Sequence, residues 1–298
     1  MAPPVRPALR RTALAALLAL GVAGCETTSR AVAPVQSVAV LEDDAAGTSK
    51  VNIASLTDVI QRNPNDPSAY NTRGAAQARV GRYQEAIADF TKAIQIDSAY
   101  APAYTNRALA LRQSGRNDQA LADFSRAIEA DPGYGAAYIG RANLLRVQNH
   151  FDAALADLEV AIRLTPESAE PLHARGLVYQ RMGNHRQAIL DFDAAIDRNP
   201  FVAAPYSARG QSLVETGETD KAIEDFNAAL NVNNRIGEAW AWRGVALERK
   251  GDRAQAAESY QRALAIEPGN TVAKQGQARL AGSAPATGGG GLGGLFRG

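Results

Sequence analysis

Large, small and polar positions recur along this chain with a period of 34 residues. Prolines mark the period at Pro64, Pro132, Pro166, Pro200 and Pro268. Counted from residue 67, the same spacing divides 67–270 into six consecutive blocks without a slip in register. The pattern predicts one structural unit repeated six times.

Within each block, certain places keep the same kind of residue. The fourth and twenty-fourth places are bulky, the eighth is Gly or Ala, and the twentieth and twenty-seventh are alanine in all six blocks. The fifteenth place holds Gly81, Gly115, Asn149, Gly183, Gly217 and Gly251. Glycine at this place is typical of a residue that ends a helix with a positive φ. Each block is therefore predicted to be two helices around a glycine turn, closed by a proline-bearing turn.

The small places predict close packing between helices. Small residues let helix backbones approach, while the bulky places fill the space beside them, so Ala188→Leu should overpack a crossing. A lone helix pair cannot bury its apolar face, so we expect the pairs to stack rather than to hang as separate hairpins. Segments 51–66 and 271–281 are predicted as capping helices, and 282–298 as a disordered Gly-rich tail.

The register resembles the tetratricopeptide repeat family over residues 67–270. The resemblance implies an all-α, right-handed α-solenoid of six helix-turn-helix repeats. It also implies that the first helix of each repeat lines a concave groove. Carried onto this chain, the groove residues are Asn71, Arg79, Thr105, Leu109, Arg112, Ile139, Asn143, Arg146, His173, Leu177, Arg181, Gln211 and Trp242. The simpler alternative is that these are solvated helix positions. Trp242 is either a binding hot spot or packs on the C-terminal capping helix, which we favour.

The groove composition indicates the kind of ligand. Apolar and amide residues beside basic ones suit an extended or helical protein segment with apolar anchors and some acidic residues. The carboxylate clamp of some relatives is not expected, because Asn106 alone matches its pattern.

An arginine occupies the seventh place of every block, and an aspartate the twenty-third place of five, with Ser259 in the sixth. A row of arginines could bind an anionic polymer. Because five of the six blocks carry both an arginine and an aspartate, we favour structural Arg–Asp pairs between facing helices.

The N-terminus carries a second signal. Three arginines precede a short apolar run and the sequence VAGC, which ends at Cys25, the only cysteine. The apolar run is too short to span a bilayer, so 1–24 is predicted as a signal peptide. VAGC resembles the bacterial lipobox, which implies a lipidated Cys25 followed by a flexible tether over 25–50. An ordinary signal peptide cleaved nearby is the alternative.

Composition narrows the function. The 32 basic and 31 acidic residues nearly balance, which argues against nucleic acid as a partner. One cysteine and three scattered histidines give no expected metal site. A match to G-x-G-x-x-G in the Gly-rich tail lacks a preceding strand, so no cofactor is expected. No catalytic constellation is evident, and we expect no enzyme.

These observations predict a scaffold in the bacterial envelope, lipid-anchored at the outer membrane and facing the periplasm. The expected partners are segments of envelope proteins, with recruitment of cell-wall hydrolases or proteases as the leading role. An assembly factor for a pilus or secretion apparatus is the alternative, and a homo-oligomer is left open.

Overall fold

The structure, a computed structural model, describes residues 48–282, with side chains from Ile53 onward. The predicted signal peptide, Cys25, nearly all of the tether and the Gly-rich tail lie outside the described residues.

Residues 48–282 form fourteen α-helices and contain no strand. The helices are α1 Thr48–Arg62, α2 Pro67–Arg79, α3 Tyr83–Ile96, α4 Ala101–Gln113, α5 Asn117–Ala130, α6 Gly135–Val147, α7 Phe151–Leu164, α8 Glu170–Arg181, α9 His185–Arg198, α10 Ala203–Thr216, α11 Thr219–Val232, α12 Gly237–Lys250, α13 Arg253–Ile266 and α14 Thr271–Gly282. Helices α2 to α13 pair into six hairpins, one for each sequence block, and α1 and α14 flank them. The predicted all-α solenoid is confirmed. Helix α1 begins at Thr48, inside the segment predicted as tether.

The turn inside each hairpin uses a left-handed residue at the fifteenth place. Gly81, Gly115, Gly183, Gly217 and Gly251 have φ angles between 76° and 92°. Asn149, the exception in the sequence pattern, also has a positive φ of 62°. Asparagine tolerates this conformation better than most side chains, so the third repeat keeps the same turn without glycine.

The small residues that recur in every repeat bring helices together within each hairpin. Ala188 and Phe192 on α9 are completely buried. Phe192 lies against Gly176 on α8, where an added Cβ would approach the phenyl ring to 2.5 Å. The glycine thus makes room for the aromatic ring, as the alternation of small and bulky places predicts.

The contacts between repeats define an inner and an outer side of the stack. First helices of successive hairpins contact one another, from α2 with α4 to α12 with α14. Within the described residues, no two second helices of neighbouring hairpins make such contacts. Closer spacing of the first helices places them on the inner, concave side, so the groove is lined by α2, α4, α6, α8, α10 and α12.

Candidate functional site

Each seventh-place arginine lies behind the groove surface and joins its own second helix. Arg141 donates from Nε and Nη2 to the two carboxylate oxygens of Asp157, both at 2.7 Å. The same bidentate pair recurs as Arg73–Asp89, Arg107–Asp123, Arg175–Asp191 and Arg209–Asp225. The predicted Arg–Asp pairs are confirmed.

All of these arginines except Arg175 also reach the second helix of the preceding repeat or, in the case of Arg73, the flanking helix α1. Arg107 Nη1 donates to Thr91 Oγ1 at 3.0 Å, and Arg141 Nη1 donates to Ser125 Oγ at 3.2 Å. Hydrogen bonding to the aspartate raises the pKa of Arg107, so it stays charged. Because their donors bind two successive second helices, these seventh-place arginines fix the register between repeats. The alternative role, a ladder for an anionic polymer, is not supported.

Two of the predicted groove residues are buried instead. Thr105 is 1% exposed and Ile139 is 4% exposed. Ile139 packs with Leu158, Ala174 and Val178, between its own hairpin and the next. The fifth place faces the neighbouring first helix here, so these two side chains do not present a binding surface. This corrects their assignment to the groove.

Trp242 does not pack where it was expected. The indole is half-buried against Leu213, Val214 and Phe226, which belong to the preceding repeat. On α12, it is Trp240 that packs in the cluster containing Val272 and Leu280 of the capping helix α14. The preference for packing on α14 is therefore wrong.

The other predicted groove residues remain accessible. Arg79 and Arg181 are exposed. Six of the remaining side chains are half-buried: Asn71, Leu109, Asn143, His173, Leu177 and Gln211. Asn106 Nδ2 donates to Asn71 Oδ1 at 2.9 Å, which links the first two repeats across the groove floor.

Arg112 and Arg146 are half-buried at the C-terminal ends of α4 and α6, and Arg181 follows at the end of α8. We call these three residues the basic row. Burial lowers the pKa of Arg112. Burial also lowers the pKa of Arg146, and the charges of Arg181 and Arg112 add to this effect. The guanidinium group of Arg146 is therefore close enough to Arg112 and Arg181 to be affected by their charges.

His173 lies beside the basic row and stays uncharged. Burial and the charge of Arg146 lower its pKa to about 4. Its ring packs at a tilt against Phe192, with 5.7 Å between the ring centroids. In the groove this side chain therefore offers a neutral imidazole.

At the N-terminal ends of the first helices α4, α6 and α8 lie Tyr100, Tyr134 and Glu170, of which Tyr134 is buried against Ala101 and Ala137. We call this the tyrosine edge. Burial and nearby Tyr100 raise the pKa of Tyr134 to about 12. Glu170 keeps contact with solvent, but the surrounding protein raises its pKa. Tyr100 and Tyr134 share the last place of successive repeats, a signal that the sequence analysis missed.

The C-terminal half of the groove neutralises its own charges. Arg249 Nη2 lies 3.1 Å from Glu215 Oε1, and Arg279 Nη2 lies 2.9 Å from Glu248 Oε2. Gln211 Nε2 donates to Glu238 at 3.2 Å. Basic groups without a carboxylate partner on the groove surface are thus a feature of the first four repeats.

Metal and membrane features can be judged for the described part of the chain. Between residues 48 and 282, no three His, Cys, Asp or Glu side chains come together as metal ligands would. None of the helices α1 to α14 has the length and apolar character needed to cross a bilayer.

A stack of helical hairpins with a side-chain-lined inner groove defines the class of helical-repeat scaffolds. Models of the tetratricopeptide repeat family match residues 67–100, 105–169, 173–231 and 207–271. Because these matches cover more than half of the chain, the protein belongs to the tetratricopeptide repeat family. The repeat generally serves as a protein-interaction scaffold, and no matching model describes an enzyme.

Solved structures share the fold at low identity. The APC/C hetero-tetramer Cut9-Hcn1 aligns with a TM-score of 0.71 and 19% identity over 78% of this chain and 46% of that one. This chain thus spans about half the length of that relative. Pseudomonas aeruginosa pilF aligns with a TM-score of 0.63 and 20% identity, covering 72% and 97% of the two chains. A repeat protein from Parabacteroides merdae gives 0.61 and 18%, covering 79% and 93%. No curated protein matches the sequence significantly.

Proposed function

We propose that this protein is a non-enzymatic scaffold, anchored to the outer membrane through a lipid on Cys25, that binds segments of envelope proteins in its groove. The family supplies the general role, which is protein interaction. The observation that carries the proposal is the inner surface of the first four repeats, where half-buried Leu109, Asn143 and Leu177 stand beside the basic row.

This surface has the properties of a peptide site. Apolar and amide side chains supply anchors and backbone hydrogen bonds, and charged groups at the rim supply orientation. The groove is also broad enough for a polypeptide. From the second to the twelfth place, a first helix spans about 15 Å, which exceeds the width of one extended chain or one helix.

The proposed biological role is recruitment of cell-wall hydrolases or proteases to the membrane. The alternative is an assembly factor for a pilus or secretion apparatus. The likeness to Pseudomonas aeruginosa pilF covers most of both chains, but at 20% identity it supports the shared fold and does not choose between these roles.

The test is crosslinking in the native envelope from a photoreactive side chain at position 177. Leu177 is half-buried in the groove. The matched control is position 190, because Leu190 is 67% exposed on a second helix, away from the groove. We expect one envelope protein to be captured from position 177 and not from position 190. A hydrolase or protease would support recruitment, and a pilus or secretin component would support the alternative. Equal capture from both positions, or none, would contradict groove binding.

A further inference from the structure

The basic row carries positive charge that the described residues do not neutralise. Arg112 and Arg146 form no salt bridge, and the buried Nε of Arg146 has no hydrogen-bond acceptor. Arg181 Nη2 reaches the neutral amide oxygen of Asn149 at 3.3 Å. Like charges without a carboxylate partner are unfavourable when they are half-buried, and an anion bound at the accessible nitrogen atoms of these guanidinium groups would reduce the repulsion between them.

One equivalent arginine in the C-terminal half of the groove is paired, whereas Arg79 in the first repeat has no carboxylate partner among the described residues. Arg249, at the thirteenth place of the sixth repeat, has Glu215 at 3.1 Å and also donates to the Val214 carbonyl. Arg181 occupies the same place in the fourth repeat, but its neighbour is the Asn149 amide instead. The groove arginines without a carboxylate partner therefore lie in the first four repeats.

The repeat register fixes how these arginines are arranged. Arg112 and Arg146 occupy the same place on α4 and α6, which contact each other, and α8 contacts α6 in turn. Packed helices lie roughly 8–10 Å apart, so the basic row runs along the groove axis with about that spacing. The ninth-place residues Leu109, Asn143 and Leu177 stand about one helical turn away, toward the groove floor.

The ligand chemistry follows from this arrangement. The guanidinium fork matches a carboxylate in bidentate geometry. A long polyanion such as nucleic acid fits less well, because Glu215, Glu238 and Glu248 lie in the C-terminal half of the same groove, and Glu170 lies on the tyrosine edge. A short acidic stretch of polypeptide instead meets basic groups at the row and apolar groups beside it.

Spacing selects the backbone form of that stretch. A polyproline II segment has three residues per turn and rises about 3.1 Å per residue, so every third side chain lies on one side, about 9 Å apart. This repeat matches the roughly 8–10 Å between packed first helices. A β-strand does not match as well, because its third residue points to the opposite face.

We propose that Arg112, Arg146 and Arg181 bind the carboxylates of an extended partner segment with an acidic residue at every third position and apolar residues between them. This inference rests on the proposed groove function and names the chemistry of its partner. The carboxylates contact the basic row, and the apolar side chains contact Leu109 and Leu177.

The test measures binding of the labelled synthetic peptide EPLEPLE to the full chain by fluorescence anisotropy. Two peptides serve as controls: QPLQPLQ removes the charges, and EEEPPLL keeps the composition but loses the spacing. We expect each control to bind at least about tenfold more weakly, in line with the loss of charge-assisted hydrogen bonds. Raising salt from about 0.01 M to about 1 M should weaken EPLEPLE binding and leave QPLQPLQ nearly unchanged.

Protein variants assign the site. The double change Arg112→Gln and Arg146→Gln should lower affinity for EPLEPLE by about tenfold or more. The matched control Arg249→Gln alters a groove arginine that already has a carboxylate, and it should change affinity by less than about twofold. Circular dichroism melting of all variants verifies that each remains folded.

Several results would overturn the inference: no binding of EPLEPLE, equal binding of EEEPPLL, equal losses in both protein variants, or a single-stranded oligonucleotide that outcompetes the peptide. The envelope crosslink separates this failure from that of the proposed function. Capture from position 177 that persists in the double variant would leave groove binding standing and reject the carboxylate subsite. If position 177 captures no envelope protein even when Arg112 and Arg146 are unchanged, the groove function itself is rejected.

Discussion

Arg209 holds Asp225 and Asp193 at the same time, one from its own hairpin and one from the preceding hairpin. Nε and Nη2 donate to Asp225 at 2.8 and 2.6 Å, while Nη1 donates to Asp193 at 2.5 Å. The two carboxylates differ in environment, because the side chain of Asp225 is 8% exposed and that of Asp193 is 45% exposed. One guanidinium thus joins an interior pair to a surface pair, and this relationship ties neighbouring repeats together.

The first prediction compares these two aspartates. Asp225→Asn removes a buried charge partner and leaves half of the bidentate pair unmatched, so we expect it to lower the free energy of unfolding by about 2–3 kcal/mol. Asp193→Asn alters an exposed pair and should lower it by less than about 1 kcal/mol. Urea unfolding followed by circular dichroism measures both values. Equal losses would show that burial does not control the strength of this network.

The second prediction concerns acid and His173. The folded protein keeps this imidazole neutral because burial and Arg146 lower its pKa to about 4, whereas the unfolded chain takes up a proton near pH 6.5. The unfolded state binds the extra proton between these values. The free energy of unfolding therefore has its full value, as far as His173 is concerned, above about pH 6.5. It falls as the pH is lowered from there toward about 4.

The size of this effect follows from the same pKa values. From about pH 7 to about pH 5, His173 should account for a loss of about 2 kcal/mol. The variant His173→Gln should lose correspondingly less stability over that interval than the unaltered protein. Substitution of the exposed His150 by Gln is the control and should leave the pH dependence in place. Identical pH slopes for all three proteins would contradict a neutral imidazole at His173 in the folded protein.

The 34-residue register was enough to predict the fold and the Arg–Asp pairs. Both follow from residue types that every repeat must place at one position, such as Ala188 in the core and Asp157 opposite Arg141. The groove surface was harder to predict. Ile139 occupies the fifth place of its repeat and Leu109 the ninth place of its own, which is about one helical turn further along. Ile139 is buried and Leu109 is half-buried, because the neighbouring first helices cover the fifth place more than the ninth. That coverage depends on how adjacent repeats pack.

The charge state of the groove needed the structure for the same reason. The sequence places arginines at the twelfth or thirteenth place of the first four repeats. It does not reveal that Arg249 has a carboxylate beside it while Arg146 has none, since the partners come from different helices. The same holds for Trp242. The sequence gives its place within the repeat, but its contacts with the preceding repeat depend on how α12 packs against α10.

The third prediction tests the close packing inside the hairpins. Ala188 is completely buried next to Phe192, so Ala188→Leu forces extra atoms into a filled space and should lower the free energy of unfolding by about 1–3 kcal/mol. Ala153 is exposed on α7, and Ala153→Leu should change stability by less than about 0.5 kcal/mol. Thermal unfolding of the two variants measures the difference. Equal stability would indicate that the crossing at Ala188 has room to spare.

The last prediction concerns the anchor at Cys25, which lies outside the described residues. The proposed lipoprotein carries acyl chains on a mature N-terminus that begins at this cysteine, and each buried CH₂ contributes about 0.8 kcal/mol to membrane binding. Mass spectrometry of the mature N-terminal peptide should therefore show a diacylglyceryl group on the sulfur, and the protein should partition into a detergent phase. Cys25→Ser should move it to the aqueous phase and leave peptide binding in the groove unchanged, because tether and groove are separate parts of the chain. An unmodified sulfur at a mature N-terminus would reject lipid anchoring, while the groove experiments would keep their meaning.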